Sequence, residues 1–207
     1  MVALMPLRLS VSFSGVLLVA CSVAMFRYAS FGTDPFTSFV VGISKISGWR
    51  YGVLYMGINI ALLCLFVIIN RHLIGWVTLI AVFMSGYITE GFLSIMNMIE
   101  VAPSMNLRII WLSLAVVVQC IGSALYYEAD FGVSAYDACA LTMNERFGLP
   151  FRWCRVVMDG GCLIVGMSFG VTIGIGTVIA ACCMGPLIVM FRRRIALPLL
   201  RRGARHA

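Results

Sequence analysis

The sequence predicts an all-α, polytopic membrane helical bundle: six transmembrane helices as two inverted three-helix repeats, each with an extra short amphipathic helix. Three observations lead there. First, hydrophobic residues make up 62% of the chain and charged residues only 11%, against roughly 25% charged in an ordinary soluble domain. A soluble fold so poor in charge would expose apolar patches large enough to aggregate. Second, six apolar runs follow one another, at about 9–29, 50–69, 74–96, 109–127, 152–170 and 173–191. Each is close to the ~20 residues that cross a bilayer core. Third, the first half of the chain returns in the second.

The recurrence is read directly from the residues. Phe31-Gly32 matches Phe131-Gly132, Phe36 matches Tyr136, and Gly48 matches Gly148. Upstream, Ala24 and Ala29 match Ala124 and Ala129. Downstream, Gly75-Trp76-Val77-Thr78 matches Gly174-Ile175-Gly176-Thr177, and Gly86 matches Gly185 with the offset reduced by one. The chain is therefore read as one membrane domain over 1–207: repeat one at about 9–96, repeat two at about 109–191, and a basic tail at 192–207. Each copy holds three crossings. Three is odd, so the second copy enters the membrane upside down relative to the first, a plan that recurs in secondary transporters.

Charge sets the orientation. Of fifteen Lys and Arg residues, six lie in the tail: Arg192, Arg193, Arg194, Arg201, Arg202 and Arg205. Cytoplasmic termini in a bacterial plasma membrane place these, with Arg8, Arg71, Arg146, Arg152 and Arg155, on or toward the inside. Arg27, Lys45, Arg50 and Arg108 fall outside, in keeping with the positive-inside bias. The net charge of +7 is thus a topological signal, with no nucleic-acid partner implied. The partners expected are the lipid bilayer, anionic lipid head groups at the tail and a small-molecule substrate; a homodimer stays open. Leu18-Val19-Ala20-Cys21 resembles a lipoprotein cleavage box, but cleavage there would discard half of a helix that has a counterpart in copy two. Trp49, Trp76, Trp111 and Trp153 fall near span ends, as interfacial anchors do.

Between the first two crossings of each copy lies a short helix. In copy one it opens with Asp34-Pro35, a cap followed by proline at the first helical position. In copy two it opens with Ser134-Ala135-Tyr136-Asp137, which fits a capping box. Phe36, Phe39, Val40 and Ile43 share one face, mirrored by Tyr136, Cys139, Ala140 and Met143, and Gly48 or Gly148 ends the helix. Packing flat at the interface is the favoured role. The alternative is an N-terminus dipping into a cavity, where Asp34, Ser134 and Asp137 would border an anion site.

Polar groups inside a span are costly and face the bundle interior. Tyr51, Tyr55 and Asn59 lie at four-residue spacing on the second crossing; Phe151, Arg155 and Asp159 are their counterparts on the fifth. Tyr55, Asn59, Arg155 and Asp159, with Glu90 and Gln119, are the candidate substrate-binding residues. Arg155 and Asp159 also stand at the spacing of an internal ion pair, so a structural and a ligand or proton role both stay open. Gln119 with Ser123 suits interhelical hydrogen bonding, and Glu90 either carries protons or reaches the outer interface. The glycine row Gly166, Gly170 and Gly174 suits close packing.

Reactive chemistry is sparse. Six of the eight cysteines (Cys21, Cys64, Cys120, Cys162, Cys182, Cys183) sit inside apolar runs and no CxxC pair occurs; His72 and His206 lack a second ligand at metal spacing. No nucleophile–base–oxyanion set and no phosphate-cradling glycine loop is present. The chain is therefore read as no enzyme, with no cofactor and no metal.

The alanine-rich first helix running into Phe31-Gly32-Thr33-Asp34-Pro35-Phe36, then Gly48, Gly174-Ile175-Gly176-Thr177 and Gly185-Pro186 resemble the YczE/YyaS/YitT family of bacterial membrane proteins, over about 10–190. Copy one lacks the second glycine of the turn, having Trp76-Val77 between Gly75 and Thr78, and copy two has Ser134-Ala135 for Asp34-Pro35. The resemblance implies a multipass plasma-membrane protein and carries over no substrate. Two functions compete: a small-solute transporter or exporter working by alternating access, and a non-transporting accessory or regulatory subunit.

Overall fold

The computed structural model describes residues 5–70, 72, 75–99, 104–129, 131–171 and 174–206, and among them every regular element is a helix. In chain order these are α1 (Met5–Ala29), α2 (Pro35–Ser47), α3 (Tyr51–Ile69), α4 (Trp76–Ile99), α5 (Met105–Ala129), α6 (Ala135–Phe147), α7 (Phe151–Ser168), α8 (Ile175–Phe191) and α9 (Leu197–His206), the last two joined by a π-helical turn over Arg192–Ala196. The sequence marks tight helix connections at Asn70-Arg71-His72 and Gly170-Val171-Thr172 by their polar and glycine residues, and both fall partly outside the described residues.

Five helical stretches are long and apolar enough to cross a membrane: Met5–Ala29, Tyr51–Ile69, Val77–Met98, Met105–Ala129 and Ile175–Arg201. The remaining expected crossing, α7, has a similar length but carries Arg152, Arg155 and Asp159. Its charges explain why composition alone does not mark it as a span: two of the three are buried inside the bundle. The exposed faces are apolar, with Ile68, Met98, Ile164 and Ile175 more than half exposed. That is the surface lipid calls for, because hydrocarbon contributes no penalty for exposed aliphatic side chains. The protein is of the helical membrane type.

The elements correspond in order. α1 and α5 each have 25 residues, and α2 and α6 each have 13. α1 crosses α5 at Gly15 and Gly122, where a Cβ on either glycine would stand 2.8 Å from the other's carbonyl oxygen. Only glycine lets two helix backbones approach so closely. The turn after α1 docks on the start of α8: Phe31 O accepts from Gly176 N at 3.0 Å. The turn after α5 docks on the start of α4: Phe131 O accepts from Val77 N at 3.3 Å. Each half therefore braces the last helix of the other.

Two expectations differ from the fold. α2 and α6 are not surface helices along their whole length. Pro35, Phe36, Thr37 and Ser38 are buried, as are Ala135, Tyr136, Asp137 and Ala138, whereas both helices emerge at exposed C-terminal ends. Periodicity gave their apolar face but not their depth. The basic tail is also more than a charged end. The helix runs on through the arginines, and Ala196 and Leu200, four residues apart, pack against Val11 of α1 and Leu125 and Ala129 of α5.

Candidate functional site

The buried starts of α2 and α6 meet at the centre of the bundle. Phe36 and Tyr136, the matched residues of the two copies, stack with ring centroids 4.5 Å apart. Each helix start is capped by its own chain: Thr37 N donates to Asp34 Oδ2 at 3.0 Å, and Asp137 N donates to Ser134 Oγ at 3.2 Å. Each helix ends on a left-handed glycine, Gly48 or Gly148. The sequence places Asp, Ser and Pro at one end and Gly at the other for this reason: the caps satisfy backbone groups that have no partner within the helix.

Among the described residues the buried charged side chains are Asp34, Asp137, Arg155 and Asp159. Three belong to one network. Arg155 Nε donates to Asp159 Oδ2 at 3.2 Å, and its NH1 donates to Asp137 Oδ1 and to the Tyr127 hydroxyl, the latter at 3.3 Å. Tyr136 donates its hydroxyl to Asp159 Oδ1 at 2.6 Å, and the guanidinium carbon lies 4.9 Å from the centre of the same ring. Ser134 Oγ reaches Asp137 Oδ2 at 2.9 Å. Both Asp137 and Asp159 thus have both oxygens engaged. A charge buried in low dielectric persists only when paired and hydrogen-bonded in this way.

Asp34 is different. Its Oδ2 is used by the cap, but its Oδ1 is buried and finds no hydrogen-bond partner among the described residues. It borders a cavity of about 50 Å³ lined also by Thr37, Tyr55, Asn59, Ser85, Gln119, Asp137 and Arg155. Two larger recesses flank this centre. One, of about 160 Å³, lies between the first half of α3 and the middle of α4 and is lined by Arg50, Tyr55, Tyr87 and Glu90. The other, of about 430 Å³, lies at the start of α7 and is lined by Tyr127, Arg152, Arg192 and Arg193. A tyrosine connects each recess with the centre. Tyr55 lines both the smaller recess and the central cavity. Tyr127 lines the larger one while its hydroxyl contacts Arg155.

The sequence-derived candidates are therefore brought together in part. Asn59, Gln119, Asp34, Ser134, Asp137, Arg155 and Tyr55 border the central cavity, and Asp159 is fully buried beside it. Asn59 donates its side-chain amide to Tyr55 O at 2.8 Å. Gln119 accepts from Ser22 across the α1–α5 crossing. Glu90 is exposed and stands in the α3–α4 recess, away from the centre. Tyr127 and Thr37 also belong to the site, and no spacing in the sequence points to them. Tyr127 sits in Tyr126-Tyr127-Glu128 at a span end, which reads as an interfacial aromatic, and only the fold turns its hydroxyl inward. The spacing places Tyr136 on the apolar face of its helix; it differs from its counterpart Phe36 by one hydroxyl, and that hydroxyl is the signal of its second role.

Two bacterial proteins and one family are similar to this chain. Over 177 residues the chain is 24% identical to the uncharacterized protein YyaS of Bacillus subtilis, covering 86% of this chain and 88% of that one. It is 26% identical over 89 residues to an uncharacterized protein of Haemophilus influenzae, covering 43% of this chain and 41% of that one. No solved structure matches. The profile of DUF6198, a family of unknown function, matches residues 6–193, which takes in every helix from α1 to α8, and the chain belongs to that family.

Proposed function

We propose that the protein is a small-solute transporter or exporter of the bacterial inner membrane, multi-pass with cytoplasmic termini, working by alternating access between two inverted three-helix repeats. The observation that supports it most is a buried polar centre with two recesses near it, one sharing Tyr55 with the central cavity and the other lined by Tyr127, whose hydroxyl contacts Arg155. Inverted halves that rock about a fixed midplane site need such an arrangement. The threading fits as well. Lys45, near the end of α2, donates to Gly170 O at 3.4 Å, whereas Arg146, near the end of α6, donates to Ile69 O at 3.1 Å. These contacts lie at opposite ends of α3, whose 19 residues span about 28 Å. α7 is then the fifth crossing in chain order and completes the set of six, its charges Arg155 and Asp159 turned inward.

The substrate enters from one recess and leaves by the other, since the central cavity as formed is smaller than the ~300–1,000 Å³ of organic-ligand sites. The test is purified protein in liposomes against a panel of small organic solutes, with proton flux followed in parallel. At least one solute is expected to show saturable flux, lowered tenfold or more by Asp159→Asn. A folded Asp159→Asn protein that transports at the wild-type rate removes the centre from the mechanism.

A second reading has its own support. The Arg155–Asp137–Asp159 network is closed on itself, as in a membrane subunit whose polar groups only hold its helices together. That reading expects no flux for any solute and a stoichiometric protein partner on affinity capture.

A further inference from the structure

The charges at the centre do not balance. Three carboxylates are buried there with one guanidinium, and each of the two helix starts contributes roughly half a positive charge. About one negative charge is left over, and it falls on Asp34. Arg155 already serves Asp137 and Asp159, and Asp34 Oδ1 is buried with no partner among the described residues.

The helix does not need that charge. At the matching position Ser134 caps α6 with a neutral oxygen, so a capping oxygen suffices and the carboxylate at position 34 exceeds what the cap requires. Nor is Asp34 accessible to bulk water, being only 7% exposed. An uncompensated carboxylate at this depth is expensive, and what would offset it is a positive ligand in the adjoining space. The cavity of about 50 Å³ decides the size class. A water needs about 10–15 Å³, so there is room for a small ion with few waters and none for an organic cation. Thr37, Tyr55, Asn59, Ser85 and Ser134, residues that carry neutral oxygens, line the same space, and oxygen ligands replace the hydration shell of small cations.

We propose that the cavity beside Asp34 is a site for one monovalent cation, a proton or an alkali-metal ion, seated on Asp34 Oδ1. The charged and titratable groups around it are Arg155, Asp159 and Cys162 of α7, Asp137 and Tyr136 of α6 and Tyr51 and Tyr55 of α3, with Arg27 of α1 stacked over Tyr51 and Glu90 of α4 beyond Tyr55. Of these, Arg155 has its hydrogen bonds directed at Asp137, Asp159 and Tyr127, and Arg27 makes no ion pair with Asp34 within salt-bridge distance. A cation arriving from the α3–α4 recess passes Tyr55 to reach the site. Deepening the transport reading, this names the ion to which solute movement would be coupled, but binding is measurable without flux.

The experiment uses the full chain in detergent at constant ionic strength. Its melting temperature is followed against NaCl and KCl, with the chloride of a bulky organic cation as control, and its carboxyl infrared band is followed against pH. An alkali-metal site gives a saturable rise in melting temperature with Na⁺ or K⁺ and release of no proton. A proton site gives a carboxyl band that titrates with pH and no alkali-metal dependence. Either signal is expected to vanish in Asp34→Asn and Asp34→Ser, both of which keep a capping oxygen. Wild-type protein with neither signal overturns the proposal whatever the variants do, and so does a signal that persists in a folded Asp34→Asn protein. Failure here leaves the liposome result standing, and absence of flux leaves the binding result standing.

Discussion

One guanidinium serves two carboxylates at the centre: Arg155 meets Asp137 through NH1 and Asp159 through Nε. Replacing it with methionine keeps most of the side-chain volume but leaves two carboxylates buried without a cation. Removing one partner of a buried ion pair typically costs about 3–5 kcal/mol, and here the lost partner is shared. Arg155→Met is therefore expected to lower stability by at least that much in reversible unfolding from detergent micelles. Adding Asp137→Asn and Asp159→Asn is expected to restore much of the loss, because removing a whole buried charge set is often close to neutral. A triple variant as unstable as Arg155→Met would mean that the network holds the fold by shape and not by charge. The sequence revealed the Arg155–Asp159 pair through four-residue spacing alone. It did not reveal Asp137 as the second partner, because that contact joins α6 to α7 across a turn, and no helical period predicts which face of α6 meets Arg155.

At the scale of elements, the halves are held together by glycines at two corresponding turns. A Cβ on Gly174 would lie 1.6 Å from Phe31 O, and one on Gly75 would lie 2.1 Å from Phe131 O. Both contacts are with backbone, which has nowhere to move, so Gly174→Ala or Gly75→Ala must separate the turn from the helix it braces. By contrast, a Cβ on Gly57 of α3 or Gly160 of α7 meets nothing within 4 Å. Gly57→Ala and Gly160→Ala are expected to be neutral or to stabilise by about 0.5–1 kcal/mol through helix propensity. The turn variants are expected to unfold at clearly lower temperature or to fail to accumulate, measured by thermal unfolding in one detergent. Equal tolerance at all four positions would show that the turns are not tightly docked. These elements were the most legible part of the sequence. Repeated Phe-Gly and Gly-x-x-Thr turns are local signals, and long apolar runs define helices directly. What escaped was depth and continuation: a period tells which face of α2 is apolar but not that its first turn reaches the centre, and an arginine triplet reads as the end of a span even where Ala196 and Leu200 carry the helix onward.

For the whole molecule, the decisive quantity is where the two short helices emerge. Both leave the centre and end on exposed residues, Ser47 in one copy and Phe147 in the other. α3 begins just beyond the first and ends beside the second, since Asn70 donates to Glu145 Oε2 at 2.7 Å. About 28 Å of helix, close to the ~30 Å thickness of a bilayer core, therefore separates the two ends. A parallel repeat would bring both ends to one surface, and a rocking mechanism would then lose its two mouths. Single cysteines at Ser47 and Phe147, in a background freed of the eight native thiols, separate the cases. In intact cells a membrane-impermeant maleimide is expected to label Ser47→Cys at once and Phe147→Cys only after the membrane is opened. By the positive-inside bias, the arginine-rich C-terminus on the side of α6 predicts that this second surface is the cytoplasmic one. Labelling of both from outside would place the two copies in the same sense, and alternating access across this centre would then have no physical basis.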